Sequence, residues 1–492
     1  MLPDDDICYR ALVTRDARFD GLFFTCVTTT GIFCRPVCPA PTPKRENCRF
    51  TASAAAAFEA GFRPCLRCLP EKAPSITRTD RSASIVERAL GLIDAGALDE
   101  GSIADLASEL GVAERHLRRL FTKELGVSPI SVVQTRRLLF AKQLLDETSL
   151  PIVQVALGAG FKSLRRFNDV MRTTYQRSPR ELRRHAHRAP AGTGITLKLP
   201  YVPPYDWDAL TGFLAPRAIP GVESVTRERY ARTIELDGEH GMVEVAPCAG
   251  ENALRATITI PDVAALLRIV DRLRAQFDLG ANAPEIAAHL ARDPRLKASA
   301  RRRPGLRVPG AWDRFELAVR AILGQQVSVA AATTLAGRIV RTFGTPLRMD
   351  GDAAAALGLT HLFPAPEALA DADLTGIGLT RTRAETVRAF AAAVAHDPAL
   401  LRDPAHMTDC AVRKLTALPG IGSWTAQYIA MRALRQPDAF PASDLWLKRA
   451  IEATEGPVTP KRCIEIAEAW RPWRAYAAFH LWSTIGETTN EG

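Results

Sequence analysis

Apolar positions along the chain follow four successive patterns. Residues 1–70 carry only short apolar stretches, broken by Cys, Pro and Arg, as in a small metal-stabilised α/β module. From 83 to 188 the apolar residues recur with helical periodicity, in two similar helix-turn-helix patterns. Residues 195–280 mix strand-like stretches (SVTRERYARTIEL, MVEVA, TITI) with the helical run DVAALLRIVDRLRAQF, an α+β pattern. From about 305 the chain reads as helical to its end, interrupted by Gly/Pro turns. The polar stretch APSITRTDRS (73–82) and the Gly/Ala-rich RAPAGTGIT (188–196) read as linkers. The expected fold is therefore multidomain: a small α/β module over 1–74, an all-α domain over 80–188, an α+β domain over 195–305 and an all-α core over 306–488.

Composition narrows the class. With 492 residues and 47% apolar content the chain is globular, and no run of about 20 uninterrupted apolar residues suggests a membrane span. The acidic start MLPDDDICYR lacks the apolar core of a signal peptide, so a cytoplasmic bacterial protein is the expectation. The net charge of +10 is concentrated early: residues 1–190 hold 29 basic against 21 acidic side chains, the remainder 35 against 33. That excess points weakly to nucleic acid. Seven of the ten cysteines lie within the first 68 residues, which in a reducing compartment suggests a metal more than disulfides.

The cysteines have ligand spacing. Cys34-x3-Cys38, then 26 residues, then Cys65-x2-Cys68 are two close pairs suited to tetrahedral zinc. Spacing alone favours a structural staple, which a module this small often needs. The surrounding TTGIFCRPVCPAPTPKRENCRF and AAFEAGFRPCLRCLP resemble the metal-binding module of the Ada adaptive-response regulators across nearly all of residues 5–70. The resemblance implies that Cys34 is a sacrificial nucleophile taking a methyl group from a DNA methylphosphotriester. Zinc holds sulfur as thiolate, the nucleophilic form, and methylation converts that thiolate to a neutral thioether. Nearby Arg35, Lys44, Arg45, Arg49, Arg63 and Arg67 could then hold phosphates more tightly, although each reads equally as a solvated charge.

Two helix-turn-helix units follow. SIADLASELGVAERHLRRLF (102–121) turns at Gly111 and enters a basic second helix near Ala113; IVQVALGAGFKSLRRFNDVMRTTYQRSP (152–179) turns at Gly158–Gly160 and starts its reading helix near Lys162. The pair resembles the AraC-type DNA-binding domain. Candidate DNA contacts are Arg115, His116, Arg118 and Arg119, then Lys162, Ser163, Arg165 and Arg166. Two units in one chain could read adjacent major-groove segments without dimerising.

In the C-terminal half, RKLTALPGIGSWTAQYIAMRA (413–433) places the hairpin Leu418–Gly422 between two helices. Gly420 and Gly422 let the backbone approach a phosphate, which the hairpin N–H groups can hold. QPDAFPASDLWLKRAI then ends a loop in Asp444 at a helix start, where a plain N-cap is the simpler reading. Hairpin, loop and aspartate together resemble the helix-hairpin-helix glycosylase superfamily. Trp424 stands where lyase-competent members carry lysine, and only Cys463 follows the aspartate where cluster-bearing members carry four cysteines. A cluster-free, monofunctional hydrolase is expected. YVPPYDWDALTGFLAPRAIPGVESV (201–225), WDRFELAVRAILGQQVSVAAA (312–332) and FHLWSTIG (479–486) resemble the AlkA-type 3-methyladenine DNA glycosylase II over residues 195–486, whose N-terminal domain is TBP-like.

That resemblance implies catalysis by Asp444 on a flipped, alkylated base, a pocket of Trp424, Tyr428, Trp446 and Trp482, a wedge at Gln326 and a monovalent cation at the hairpin. Two positions depart from the family: Gln326 replaces a leucine wedge, and Trp446 replaces a smaller pocket residue. No Pro-Cys-His-Arg motif is present, so repair of O6-alkylguanine is not expected. The implied protein is a sensor and enzyme in one chain, a monomer engaging damaged DNA, promoter DNA and RNA polymerase at the nucleoid. The competing readings are a regulator with a catalytically silent glycosylase half, and a glycosylase whose zinc module is only structural.

Overall fold

The computed structural model describes residues 2–74, 85–94, 96–98, 101–183, 194–349, 352–401 and 408–488. Most of both linkers (75–82 and 188–193) lies outside the described residues.

The first module begins with α1 (Asp5–Thr14) and carries a four-stranded sheet in the order β3-β1-β2-β4, built from β1 (Phe24–Val27), β2 (Ile32–Cys34), β3 (Cys48–Thr51) and β4 (Arg63–Pro64). The β1–β2 turn closes through Gly31 at φ +64°, a conformation glycine adopts without strain. Helix α2 (Ala54–Glu59) covers the sheet, and Phe24, Phe33 and Phe58 meet edge-on at 5.7 and 5.1 Å. A second small cluster of Cys8, Ala11 and Phe23 lies under α1 with Phe50 against it, and the cysteine quartet holds the far end of β2.

The helical domain comprises α3 (Ile85–Asp94), α4 (Ile103–Glu109), α5 (Glu114–Leu125), α6 (Pro129–Glu147), α7 (Ile152–Gly158), α8 (Leu164–Tyr175) and α9 (Pro179–Leu182). Helix α4 starts in a capping box between Ser102 and Asp105, and Gly111 at φ +70° makes the turn into α5. On α8, Phe167, Met171 and Tyr175 recur every fourth residue and are buried, which leaves the basic residues outside.

The third region folds as an antiparallel five-stranded sheet, order β5-β9-β8-β7-β6, from β5 (Ile195–Pro200), β6 (Glu223–Val225), β7 (Tyr230–Leu236), β8 (Glu239–Pro247) and β9 (Ala253–Thr259). It is accompanied by α10 (Trp207–Leu214) and α11 (Leu266–Gln276). Next come α12 (Ala283–Leu290) and α13 (Pro294–Arg302), followed by α14 (Arg314–Leu323), α15 (Val329–Phe343), the short α16 (Ala353–Ala356) and α17 (Pro366–Ala370), α18 (Arg381–His396), α19 (Thr408–Thr416), α20 (Ser423–Arg432), α21 (Leu445–Glu455), α22 (Pro460–Ala467) and α23 (Arg474–Thr488).

Two packing features depart from the division drawn on the sequence. Ile286, Leu290, Leu296 and Ala300 of α12 and α13 share a core with Phe440, Leu447, Trp470 and Phe479, so the C-terminal helical layer begins in space before residue 305. Leu144, Val155 and Ala156 of the reader share one buried cluster with Leu197, Ile234, Leu266 and Ile269 of the α+β domain. Gly158 permits this contact: a Cβ there would lie 3.1 Å from Leu266 Cδ1 and 3.2 Å from the Val263 carbonyl. Gln143 donates to the Lys198 carbonyl (2.7 Å), Glu147 accepts from the Lys198 N–H (2.9 Å), and Arg136 pairs with Asp271.

Candidate active site and zinc centre

The two cysteine pairs converge. The four sulfurs lie within 4.8 Å of one another, and Cys38 Sγ stands 4.0 Å from Cys65 Sγ. Tetrahedral zinc with bonds of about 2.3 Å spaces its sulfurs at about 3.8 Å, so the cage fits the ion. Its chemistry fits as well. Crowded, buried thiols cannot all ionise unaided, and the Cys34 thiol is pushed far above its ordinary range by its three neighbours and by burial; a divalent ion at the centre reverses that. The four ligands differ in surroundings. The Arg35 N–H donates to Cys68 Sγ (3.3 Å) and the Arg67 N–H to Cys65 Sγ (3.4 Å). Cys34 Sγ accepts no backbone N–H among the described residues, and Cys34 is the most exposed of the four at 9%.

The basic residues around the cage are less available than their number suggests. Arg35 is paired with Asp20 and donates to the Cys68 carbonyl (3.0 Å), and Arg45 pairs with Asp5 (3.2 Å) and Asp6 (3.6 Å). Arg63 donates to Gln176 Oε1 (2.9 Å) at the end of α8, so it docks the module on the reader. Lys44, Arg49 and Arg67 remain exposed. Three residues past Cys68, Glu71 is buried against Lys142 of α6 (3.3 Å), which also bonds Asp146; burial pushes the Glu71 carboxyl up to about 7.

In the reader, Arg115, Arg118 and Arg119 on α5 and Lys162, Arg165 and Arg166 at the start of α8 are exposed. Arg118 pairs with Glu114 (2.6 Å) and Arg119 contacts His116 Nδ1 (3.1 Å). The Ser163 hydroxyl is taken by the helix, accepting from the Arg166 N–H at 3.3 Å as N-cap.

The C-terminal half encloses a cleft of about 1560 Å³ that brings together Gln326, Gly420, Gly422, Trp424, Tyr428, Asp444, Trp446 and Trp482. Asp444 does cap α21: its Oδ1 accepts from the Trp446 and Leu447 N–H groups at 3.0 Å. It is also gripped by two indoles, Trp482 Nε1 on Oδ1 (3.0 Å) and Trp424 Nε1 on Oδ2 (2.8 Å). A carboxylate offers about four acceptor positions. Three donors sit on Oδ1 and one on Oδ2, so Oδ2 keeps an acceptor position, and Asp444 remains 9% exposed.

Trp424 and Tyr428 stack at 5.3 Å and 16°, and Trp482 lies 6.4 Å from Tyr428. Phe213, from the α+β domain, stacks on Trp482 at 6.5 Å and 16°. Behind these rings stand two guanidiniums absent from the sequence reading. Arg217 lies 3.8 Å over Phe213, while Arg432 lies 4.9 Å over Phe213 and donates to the Tyr428 hydroxyl at 2.9 Å. Burial would push the Tyr428 phenol up, but Arg432 and Arg217 outweigh it and hold the phenol below its ordinary value. Phe213 and Tyr428 therefore already serve the protein's own cations. Trp446 lines the cleft only at its mouth, being 45% exposed.

The hairpin is held against the loop that carries Gln326. Gln325 Nε2 donates to the Gly420 carbonyl (3.0 Å) and to Thr425 Oγ1 (2.9 Å), and Arg383 donates to the Gln325 carbonyl (2.6 Å). Gln326 itself is exposed on a left-handed backbone at φ +54°. Gly420 at φ +76° is required twice over, since a Cβ there would collide with Thr386 Oγ1. Phe213, Arg217, Gln325 and Arg432 carried no local signal in the sequence; Phe213 and Arg217 reach the cleft only through the packing of α10 against α23.

Family models match along the chain: the metal binding domain of Ada at residues 7–71, a helix-turn-helix domain at 106–185, the AlkA N-terminal domain at 196–313 and the HhH-GPD superfamily base excision DNA repair protein at 319–474. The chain is 39% identical to a probable bifunctional transcriptional activator/DNA repair enzyme AlkA of Mycobacterium tuberculosis, over 100% of its own length and 98% of the relative's. It is 36% identical to DNA-3-methyladenine glycosylase 2 of Escherichia coli over 60% of this chain and 99% of that one. The 3-methyladenine DNA glycosylase structure from Archaeoglobus fulgidus shares the fold with a TM-score of 0.51 at 24% identity, covering 58% of this chain and 97% of that one. No helix among the described residues is long and apolar enough to cross a membrane. Zinc-binding module, helix-turn-helix reader and glycosylase fold stand in one chain that matches its relative end to end, and the chain belongs to the family of bifunctional transcriptional activator/DNA repair enzymes of the AlkA type.

Proposed function

We propose that Asp444 hydrolyses the N-glycosidic bond of alkylated bases flipped into the cleft, and that Cys34 accepts a methyl group from DNA methylphosphotriesters. The observation that carries the first half is the convergence of Trp424 Nε1 and Trp482 Nε1 on Asp444 beside the hairpin. These indoles fix the carboxylate, and the open position on Oδ2 orients the attacking water and opposes charge developing on the sugar. The glycosidic C–N bond breaks, the base leaves with the bonding pair, and water supplies the hydroxyl at the sugar carbon while its remaining proton passes to Asp444 Oδ2. Gln326 fills the vacated stack, and the backbone around Gly420 and Gly422 holds the strand.

For Cys34, the supporting contrast is the backbone N–H groups of Arg35 on Cys68, Arg67 on Cys65 and Ala40 on Cys38 against none on Cys34 Sγ among the described residues. Bound zinc keeps the sulfurs as thiolates at neutral pH. A sulfur without N–H donors keeps the most electron density. An S–C bond forms, the methyl C–O bond breaks, and the phosphodiester anion leaves. The loss of one negative charge lets Arg49 and Arg67 hold DNA more tightly, and α5 and α8 read promoter DNA through Arg118, Arg119, Lys162, Arg165 and Arg166. With both reading helices in one chain, a monomer suffices; as an activator it engages RNA polymerase, and DNA partners place it at the nucleoid. The proposed domain limits are 1–74, 80–188, 195–305 and 306–488, with α12 and α13 of the third domain packed into the core of the fourth.

The experiment is incubation of the full chain with methyl-labelled DNA. Label should appear both as free base and on Cys34, and Cys34→Ala should lose only the protein-bound label. Label retained by Cys34→Ala would overturn the methyl-acceptor assignment. A second expectation concerns strand cleavage. No lysine lines the cleft among the described residues, so abasic sites should be left intact and borohydride should trap no protein–DNA adduct; efficient trapping would show that an amine acts as nucleophile.

A further inference from the structure

Base extrusion leaves a gap in the duplex that some side chain must fill. The residue placed for this among those lining the cleft is Gln326, which is polar and flexible, with exposed Val329 nearby on the same loop–helix junction. A second exposed stretch of the lining is different in kind. Leu445 and Trp446, the first two residues of α21, are 55% and 45% exposed, an unusual state for two large apolar side chains adjacent in sequence. They follow Asp444 directly, and of these two residues Trp446 alone bonds the carboxylate, through its backbone N–H at 3.0 Å. The Arg449 guanidinium sits 5.0 Å over the Trp446 ring, one helical turn along. Arg449 is exposed, and no carboxylate pairs with it among the described residues. The indole thus has one face covered by the protein's own cation, at the mouth of a cleft that accepts DNA.

We infer that Trp446, backed by Arg449 and flanked by Leu445, is a DNA-stacking element for the damaged duplex and not a wall of the base pocket. The inference rests on the glycosylase reading of the cleft. A planar indole suits an unstacked base step better than an amide does, because every base presents a π-face to it. Arg449 stiffens the ring by cation–π attraction while keeping its charge within reach of the adjacent phosphate. No ring contact joins Trp446 to Trp424 or Tyr428 among the described residues, so it stands apart from the stacked rings beside Asp444.

The test uses the full chain and a duplex bearing an abasic analogue with 2-aminopurine beside it. Trp446→Ala should weaken binding about tenfold, in the range that stacking residues carry. It should also remove the 2-aminopurine signal that wild type produces, while the set of alkylated bases released is the same as for wild type. Trp446→Phe should restore most of both. Arg449→Gln should weaken binding about threefold and lower the salt dependence by about one phosphate contact. Since the ring is half exposed, the thermal midpoint of Trp446→Ala should match wild type; if that variant misfolds, Trp446→Phe and Arg449→Gln carry the test through affinity and salt slope. Wild-type affinity and 2-aminopurine response in Trp446→Ala, or a changed set of released bases at wild-type affinity, would overturn the inference. Absence of base release by the wild type would instead overturn the glycosylase reading, with the binding measurements still deciding the role of Trp446.

Discussion

Asp444→Asn should lower the rate of base release by about 100- to 1000-fold, the range seen when one electrostatic partner of a transition state is removed. The substitution keeps the size of the side chain and can keep the cap of α21, because a carbonyl oxygen still accepts from the Trp446 and Leu447 N–H groups. With that oxygen turned toward the three donors on Oδ1, the new amide faces Trp424 Nε1, the single donor on Oδ2. Two N–H groups then oppose each other where the carboxylate had its open acceptor position. The charge that favours the cationic sugar is gone, and so is the acceptor for the water. Binding to abasic-analogue duplex should remain within about threefold, well under 1 kcal/mol, since the contacts assigned to the hairpin do not involve Asp444. The measurement is single-turnover base release alongside duplex titration. Release at the wild-type rate would remove Asp444 from the mechanism.

Removal of zinc should unfold the first module while leaving the glycosylase half intact. The apolar core there is split into two small clusters, one of Phe24, Cys26, Phe33, Ala54 and Ala57 and one of Cys8, Ala11 and Phe23 with Phe19 and Phe50 against it, too little to hold some 70 residues unaided. Structural zinc contributes about 10–16 kcal/mol in small tetrathiolate and related sites at neutral pH. Its loss leaves four crowded thiols on two chain segments whose other links are the short β2–β4 pairing, Ile32 with Arg63 and Phe33 with Pro64. Amide exchange of residues 7–71 in the full chain should rise steeply on chelation, and that of the helices between 314 and 488 should not. The docking contacts Arg63–Gln176 and Lys142–Glu71 should be lost with it. Unchanged protection in the first module would mean that the cysteine cage is dispensable for folding.

The contact between α7 and the α+β domain bears on how the two activities share a chain. The reader and the α+β domain of the glycosylase half share one buried cluster, so the second helix-turn-helix unit cannot be treated as tethered by a linker alone. In sequence, residues 188–196 look like a boundary, and the apolar face of α7 looks complete within the reader. Leu144, Val155 and Ala156 satisfy a helical pattern whichever neighbour covers them.

What the sequence determined by itself is the local chemistry. Thiol spacing fits a tetrahedral ion, glycines stand where the backbone must turn left-handed at Gly111 and Gly420, and the hairpin followed by Asp444 marks the cleft. These signals depend on ligand geometry and backbone sterics over a few residues, so they survive without knowledge of the rest of the chain. Only the tertiary structure decided which charges are free and which rings face which way. Arg35, Arg45 and Arg63 look like phosphate ligands until Asp20, Asp5 and Gln176 are brought to them from elsewhere in the chain. Phe213 and Arg217 join Tyr428 and Trp482 across more than 200 residues, and Arg432 puts a cation behind rings that alone would attract one. Trp446 differs from Trp424 and Trp482 in exposure and in partners, Arg449 against Asp444 and Tyr428, and the exposure follows from the packing of distant segments, which has no counterpart in local spacing.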